Sequence, residues 1–307
     1  MNNLHQDVDT YLDVRRTLGF KLVRTEPWLN SFVDYTQQQL APFVTTTVAL
    51  AWATLPKNGS PANWAKRLSA VRGFSKHLHA SDPRHEVPGA ELIPYRQTRK
   101  PPYIYSDEDV AALLLAAQGL AYPLMAATYT TLFGLLAVTG MRIGEALALD
   151  RADVDWNEAV LILRNTKFQK SREVALHPTT LDALRAYARK RDETWPRLKT
   201  PSFLVSLAGT RVISQNVNCT FLKLIQRAGL SERRPRRPRI HDLRHSFAVK
   251  TVRDWYKAGL EVEPLLPSLS TYLGHVSPSS TYWYLTATPE LMSLAAERLE
   301  RSLGELP

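Results

Sequence analysis

The sequence predicts a mainly α-helical protein with a small antiparallel β-sheet, divided into a helical N-terminal domain and a larger C-terminal one. Apolar residues recur at helical spacing along most of the 307-residue chain. Two short apolar runs, Ala159–Arg164 and Arg172–Leu176, flank a polar turn in the manner of a hairpin. A stretch between Ser81 and Tyr105 holds Pro83, Pro88, Pro94, Pro101 and Pro102 with little periodicity, as an extended linker would. The chain is also longer than one domain usually runs.

The first domain, residues 1–80, reads as helices at Leu4–Thr17, Pro27–Leu40, Thr45–Thr54 and Pro61–His79, parted by proline or glycine signals. Its last helix interleaves Lys66, Arg67, Arg72 and Lys76 with an apolar stripe. It reads equally as a helix lying along DNA and as an ordinary amphipathic helix with a solvated face. Residues 81–105 form the linker. The second domain, 106–307, opens at Ser106-Asp-Glu-Asp109, an N-cap followed by an acidic first turn, and runs as helix to Gln118. Leu124–Thr139 and Arg142–Leu149 are helices broken at Gly140. After the strands, helices follow at Thr179–Glu193, Ser214–Ala228, His241–Lys257, Leu265–Leu273, Ser279–Tyr284 and Pro289–Leu303. The turn Asn165–Ser171 places Lys167 and Lys170 on or beside a hairpin tip.

Composition narrows the function. With 39 Lys and Arg against 29 Asp and Glu, the net charge is +10, which argues for a polyanionic partner, because basic side chains release condensed counterions on meeting phosphates. A membrane partner is not expected: there is no lipidation motif, and the N-terminus carries Asp7, Asp9 and Asp13 without an apolar signal core. The uncharged run Leu124–Met141 reads as a buried core helix. The single cysteine, Cys219, allows no internal disulfide and no Cys/His cluster has metal-ligand spacing, so a reducing cytoplasm without structural zinc fits. Arg233-Arg234-Pro-Arg236-Arg237-Pro-Arg239 holds five arginines in an extended run, suited to phosphate contact.

The chemistry lies in four fragments: Thr139-Gly-Met-Arg142-Ile-Gly-Glu145, His241-Asp-Leu-Arg244-His245, Leu273-Gly274-His275, and the pair Tyr282 and Tyr284. Phosphodiester transfer by a protein nucleophile needs an attacking oxygen, neutralisation of the nonbridging oxygens, and a proton for the leaving oxygen. Arg142 and Arg244 suit the clamp, since a planar guanidinium makes paired hydrogen bonds to phosphate and stays protonated. The three-residue spacing of His241 and Arg244 puts both on one helix face, and His245 points elsewhere as a structural histidine. Glu145, one turn beyond Arg142, is placed to orient that guanidinium. No acidic cluster suited to two magnesium ions and no Walker-type loop accompanies them, so no metal, ATP or other cofactor is expected.

In this order the fragments resemble the tyrosine recombinase (phage integrase) family, whose pattern is Arg, Lys, His-x-x-Arg, His and Tyr. The resemblance spans about Ser106 to Leu291. It implies that His275 donates to the scissile phosphate, that Tyr284 is the nucleophile with Tyr282 packing its helix, and that Lys167 is the general acid. Thr166 and Phe168 stand where the family has glycines, so Lys170 stays an alternative. In Lys170-Ser-Arg172 the family's hairpin continues, and both basic residues are candidate DNA contacts. The resemblance further implies a homotetramer gripping duplex DNA as a C-shaped clamp, accessory DNA-binding proteins, a bacterial, nucleoid-associated setting, and a terminal helix that docks in cis or on a neighbour. Glu261–Pro267 reads as an insertion before the Leu-Gly-His turn and, with the arginine run, points toward transposon-borne integrases. A type IB topoisomerase and a noncatalytic regulator descended from a recombinase are the alternatives.

Overall fold

Residues 4–95, 101–164, 171–232, 236–275, 277, 279–282 and, near the end of the chain, 291, 293, 296, 297 and 300 are described by the structure, a computed structural model. It divides into two units, Met1–Lys100 and Pro101–Pro307.

The first unit holds α1 (Leu4–Thr17), α2 (Thr25–Gln38), α3 (Thr46–Thr54) and α4 (Pro61–Ser81). Thr45 and Ser60 cap α3 and α4, each side chain accepting the backbone N–H three residues on. The stripe Leu68, Val71, Phe74 and Leu78 of α4 packs with Leu12, Phe32 and Trp52. The first part of the expected linker is not a free tether. Val44 N–H donates to His85 Nδ1 (3.0 Å), Thr46 N–H to the Glu86 carboxylate (2.7 Å), and Arg72 grips the carbonyls of Pro88 (2.8 Å) and Gly89 (2.7 Å). A non-repeating segment cannot satisfy its own carbonyls, so a neighbouring arginine takes them up.

The linker's other end belongs to the second unit. Tyr103 and Tyr105 are buried there edge to face, with ring centroids 5.0 Å apart, and Tyr105 N–H donates to Ser246 Oγ at 2.7 Å. α5 (Asp107–Gln118) starts on the capping box of Ser106 and Asp109. α6 (Pro123–Thr139) buries Leu124, Leu132, Phe133 and Leu136 in the main core, shared with α5, the sheet, α8 (Pro178–Thr194) and α9 (Ser214–Arg227). Among the described residues no helix is long and apolar enough to cross a membrane. α7 (Ile143–Ala148) follows α6 after a three-residue break.

The sheet is a three-stranded antiparallel meander of β1 (Val154–Asp155), β2 (Val160–Leu163) and β3 (Arg172–Ala175). β1 was not foreseen, because two residues give no alternation to read. Leu163 pairs with Arg172, so the last described pair of the β2–β3 ladder delivers Arg172. α10 (Ile240–Lys257) and α11 (Val262–Leu273) share a third cluster with Leu291, which is 1% exposed. Glu261–Pro267 caps and opens α11, which starts three residues before the expected Leu265 and buries Val262 and Leu266. Pro264 falls in the first turn, where N–H groups lack intrahelical partners anyway, and Pro267 forfeits one bond. α12 (Ser279–Tyr282) follows, and the terminal helix expected at Pro289–Leu303 lies largely outside the described residues.

Candidate active site

The site forms around the C-terminus of α11. Gly274 ends that helix at φ +67°, a left-handed conformation that favours glycine. The last carbonyls of a helix have no intrahelical partner and carry the negative end of its dipole. Here arginines take three in succession: Arg172 Nε donates to Tyr272 O (2.9 Å), Arg244 Nη2 to Leu273 O (2.7 Å) and Arg142 Nη2 to Gly274 O (2.8 Å). Three guanidinium groups from three different elements therefore meet at one helix end.

Local sequence explains how each arrives. α6 stops at Gly140 (φ +60°), buried Met141 anchors the turn, and Arg142 becomes the N-cap residue of α7. Glu145 accepts both the backbone N–H of Arg142 (2.8 Å) and its Nη1 (2.8 Å). The same carboxylate is held by Arg172 through Nη1 (3.1 Å) and Nη2 (2.8 Å). Burial works to raise the Glu145 carboxyl, but hydrogen bonds and charge from Arg172 and Arg142 outweigh it and hold it below the usual range. Arg244, on α10, is 2% exposed and also donates to Gly140 O at 2.8 Å, tying the end of α6 to the end of α11.

The histidines complete the cluster. His275 N–H donates to Ser270 O (2.9 Å), and its Nδ1 lies 2.7 Å from Oγ1 of the buried Thr281. Burial, then the charges of Arg244 and Arg142, push its imidazole down to about 4. Burial and Arg244 also lower His241. His245 does not point away as expected. It sits four residues after His241 and so on the same face, with the two rings edge to face at 4.8 Å, and burial pushes it down to about 4. All three imidazoles are neutral near pH 7, and a neutral imidazole still carries an N–H to donate.

Other expectations meet the structure differently. Tyr282 is 47% exposed rather than packing its helix, because the adjacent Thr281 takes the buried position. Arg172 was expected on DNA, yet its guanidinium is turned inward. Arg67 is likewise inward: Nη2 donates to Trp52 O (2.9 Å), and its Cζ lies 3.7 Å over the Trp52 ring. Arg72 is spent on Pro88 and Gly89. Lys66 and Lys76 remain exposed and line, with Arg15, Tyr11 and Trp28, a cavity of about 490 Å³ in the first unit. Of the arginine run, Arg237 is exposed, Arg236 reaches Pro101 O (3.4 Å), and Arg239 pairs with Asp242 (2.8 Å), which also caps α10. Lys167, Lys170, Arg233, Arg234 and Tyr284 lie outside the described residues. Among the described residues no group of three or more His, Cys, Asp or Glu side chains is placed to hold a metal ion.

Residues 106–290 match the model of the phage integrase family. The chain belongs to that family. The integrase is 44% identical to the "Putative integrase/recombinase y4rB" of Sinorhizobium fredii strain NGR234, over 98% of each chain. Its fold resembles the Tn1549 transposon integrase in complex with transposon right end DNA, with TM-score 0.66 and 16% identity over 96% of this chain and 98% of that one. It also resembles the XerH site-specific recombinase bound to its palindromic difH substrate, with TM-score 0.65 and 20% identity over 89% of this chain and 78% of that one. The integrase is a tyrosine-type site-specific recombinase that acts on DNA.

Proposed function

We propose that the chain cuts and rejoins duplex DNA through a 3′-phosphotyrosyl bond on Tyr284, without metal or ATP. The observation that carries this reading is the convergence of Arg142, Arg172 and Arg244 on three consecutive carbonyls, beside His275. One carboxylate, Glu145, partly offsets three guanidiniums, leaving excess positive charge of the kind a pentacoordinate phosphorane needs.

Tyr284 gives its phenol proton to the neutral imidazole of His241 and attacks the phosphorus, and the bond to the 5′-oxygen breaks. Arg142 and Arg244 hold the nonbridging oxygens, His275 donates to them, and Lys167, with Lys170 as the alternative, protonates the departing oxygen. Cation is supplied by the protein itself, so the scheme calls for no magnesium. Arg142 suits the role of first contact: 29% of its side chain is exposed, and two of its five N–H donors are spent on Glu145 and Gly274. The phosphotyrosyl bond conserves the energy of the phosphodiester, so a 5′-hydroxyl from a second duplex can reverse the step.

The partner is duplex DNA, bound by four copies with accessory proteins in the bacterial cytoplasm, and Lys66, Lys76, Arg236 and Arg237 contact its backbone. Kinship with transposon-borne integrases is the subclass we favour. Strand transfer separates this reading from a type IB topoisomerase. Protein trapped on a nicked duplex is offered a second duplex bearing a free 5′-hydroxyl. A joined strand containing both duplexes is expected, whereas relaxation of supercoiled plasmid with no joined product would favour the topoisomerase.

A further inference from the structure

We infer that Arg172 is a positioning residue of the phosphate clamp and makes no DNA contact of its own. This deepens the proposed phosphotyrosyl chemistry and rests on it. Arg172 bridges the sheet both to the carboxylate that fixes Arg142 and to the end of α11. Its Nη1 and Nη2 hold both oxygens of Glu145, the carboxylate that fixes Arg142, and its Nε holds Tyr272 O, two residues before the turn that presents His275.

The bridge is well sheltered. The Arg172 side chain is 13% exposed and that of Glu145 is 8% exposed. Its fit against the turn is close: a Cβ placed on Gly274 would lie 2.7 Å from Arg172 Nη1 and 3.1 Å from its Cζ. Glycine is thus required at 274 for its backbone conformation and also because this guanidinium fills the space. A fork that makes paired bonds to one carboxylate while its Nε reaches a carbonyl cannot be replaced by a lysine, which offers a single point of charge. Arg172 also begins β3, five residues after Lys167 in the sequence. It therefore sets the sheet edge, the first clamp arginine and the His275 turn in one register.

The test compares wild type, Arg172→Met, Arg172→Lys, Glu145→Gln and the Arg172→Met/Glu145→Gln double variant, in which no uncompensated carboxylate is left buried. Single-turnover adduct formation is measured on a nicked duplex at saturating protein, with binding followed against salt. Each single variant is expected to react roughly 100-fold more slowly, as misplacement by about 1 Å can cost, while binding DNA with an unchanged salt slope. The double variant is expected to be no slower than the slower single, since both act through one unit. On a duplex whose scissile phosphate carries methyl in place of one nonbridging oxygen, the clamp has less charge to neutralise, and the deficit should shrink to a few-fold.

A salt slope lowered by about one would mark a direct phosphate contact and overturn the inference. So would strictly additive losses, or an equal deficit on both linkages, which a general loss of structure would give. Arg172→Met reacting as fast as a reactive wild type removes the inference alone. A wild type that forms no adduct removes the phosphotyrosyl reading and the inference with it.

Discussion

Replacing Arg244 by alanine is expected to cost the integrase both its chemistry and part of its fold. The guanidinium is 2% exposed and joins Gly140 O to Leu273 O. Hydrogen bonds from a charged donor contribute about 1.5–3 kcal/mol each, so losing two destabilises by roughly 3–6 kcal/mol before the surroundings relax. That is a large part of the about 5–15 kcal/mol that holds a typical domain together. Arg244→Lys separates the two effects. It keeps the charge and much of the volume but loses the fork that spans both carbonyls. We expect this variant to remain folded by thermal melting, yet to form the covalent adduct at least about 100-fold more slowly, the loss found when one donor to a developing oxyanion is removed. Adduct formation by Arg244→Lys at the wild-type rate would show that this arginine is structural alone.

Gly140→Ala is expected to be the most damaging methyl that can be added near the site. Gly140 has φ +60°, where a side chain is disfavoured, and an added Cβ would lie 2.5 Å from Phe247 Cδ1, 2.9 Å from its Cγ and 3.1 Å from Leu273 Cδ2. Phe247 has little room to yield, because its ring stacks on Tyr272 with centroids 5.7 Å apart. A left-handed alanine costs about 1 kcal/mol, and overpacking adds about 1–3 kcal/mol. For a unit of this size the sum corresponds to a fall in Tm on the order of 10 °C. The strain also displaces the carbonyl that Arg244 grips, so cleavage should fall with stability. An unchanged melting curve would mean that Phe247 and Leu273 move aside freely.

Much of this was legible in the sequence because helical periodicity is a strong signal and the catalytic fragments are short and local. The pairing of Val160–Leu163 with Arg172–Ala175, the break at Gly140 and the support of Arg142 by Glu145 all follow from spacing. What escaped depends on where donors are spent. Arg172 looked like a solvent-facing base, yet in β3 it shares the inward face with buried Val174, two residues on, a period that could have shown its direction. Arg67 stands in register with Val71, Phe74 and Leu78 on the buried stripe of α4, so its helix position already pointed inward. His245 was misjudged for want of the same count from His241. The prolines of residues 81–105 signalled a boundary but not its captors, because Arg72 and Ser246 come from elsewhere in the chain. After Pro264 the sequence reading opened a helix at Leu265, whereas α11 starts at Val262, where burial of Val262 and Leu266 carries it through that proline.

The central claim is that Tyr284 attacks a DNA phosphate with no metal required. The most direct test incubates the protein, in the presence of a chelator, with nicked duplexes cut from the ends of the genetic element that encodes it, and maps any covalent peptide–DNA adduct by mass spectrometry. We expect an adduct on Tyr284, retained in Tyr282→Phe and lost in Tyr284→Phe. Tight binding without an adduct on any end sequence, or an adduct on another residue, would contradict the account.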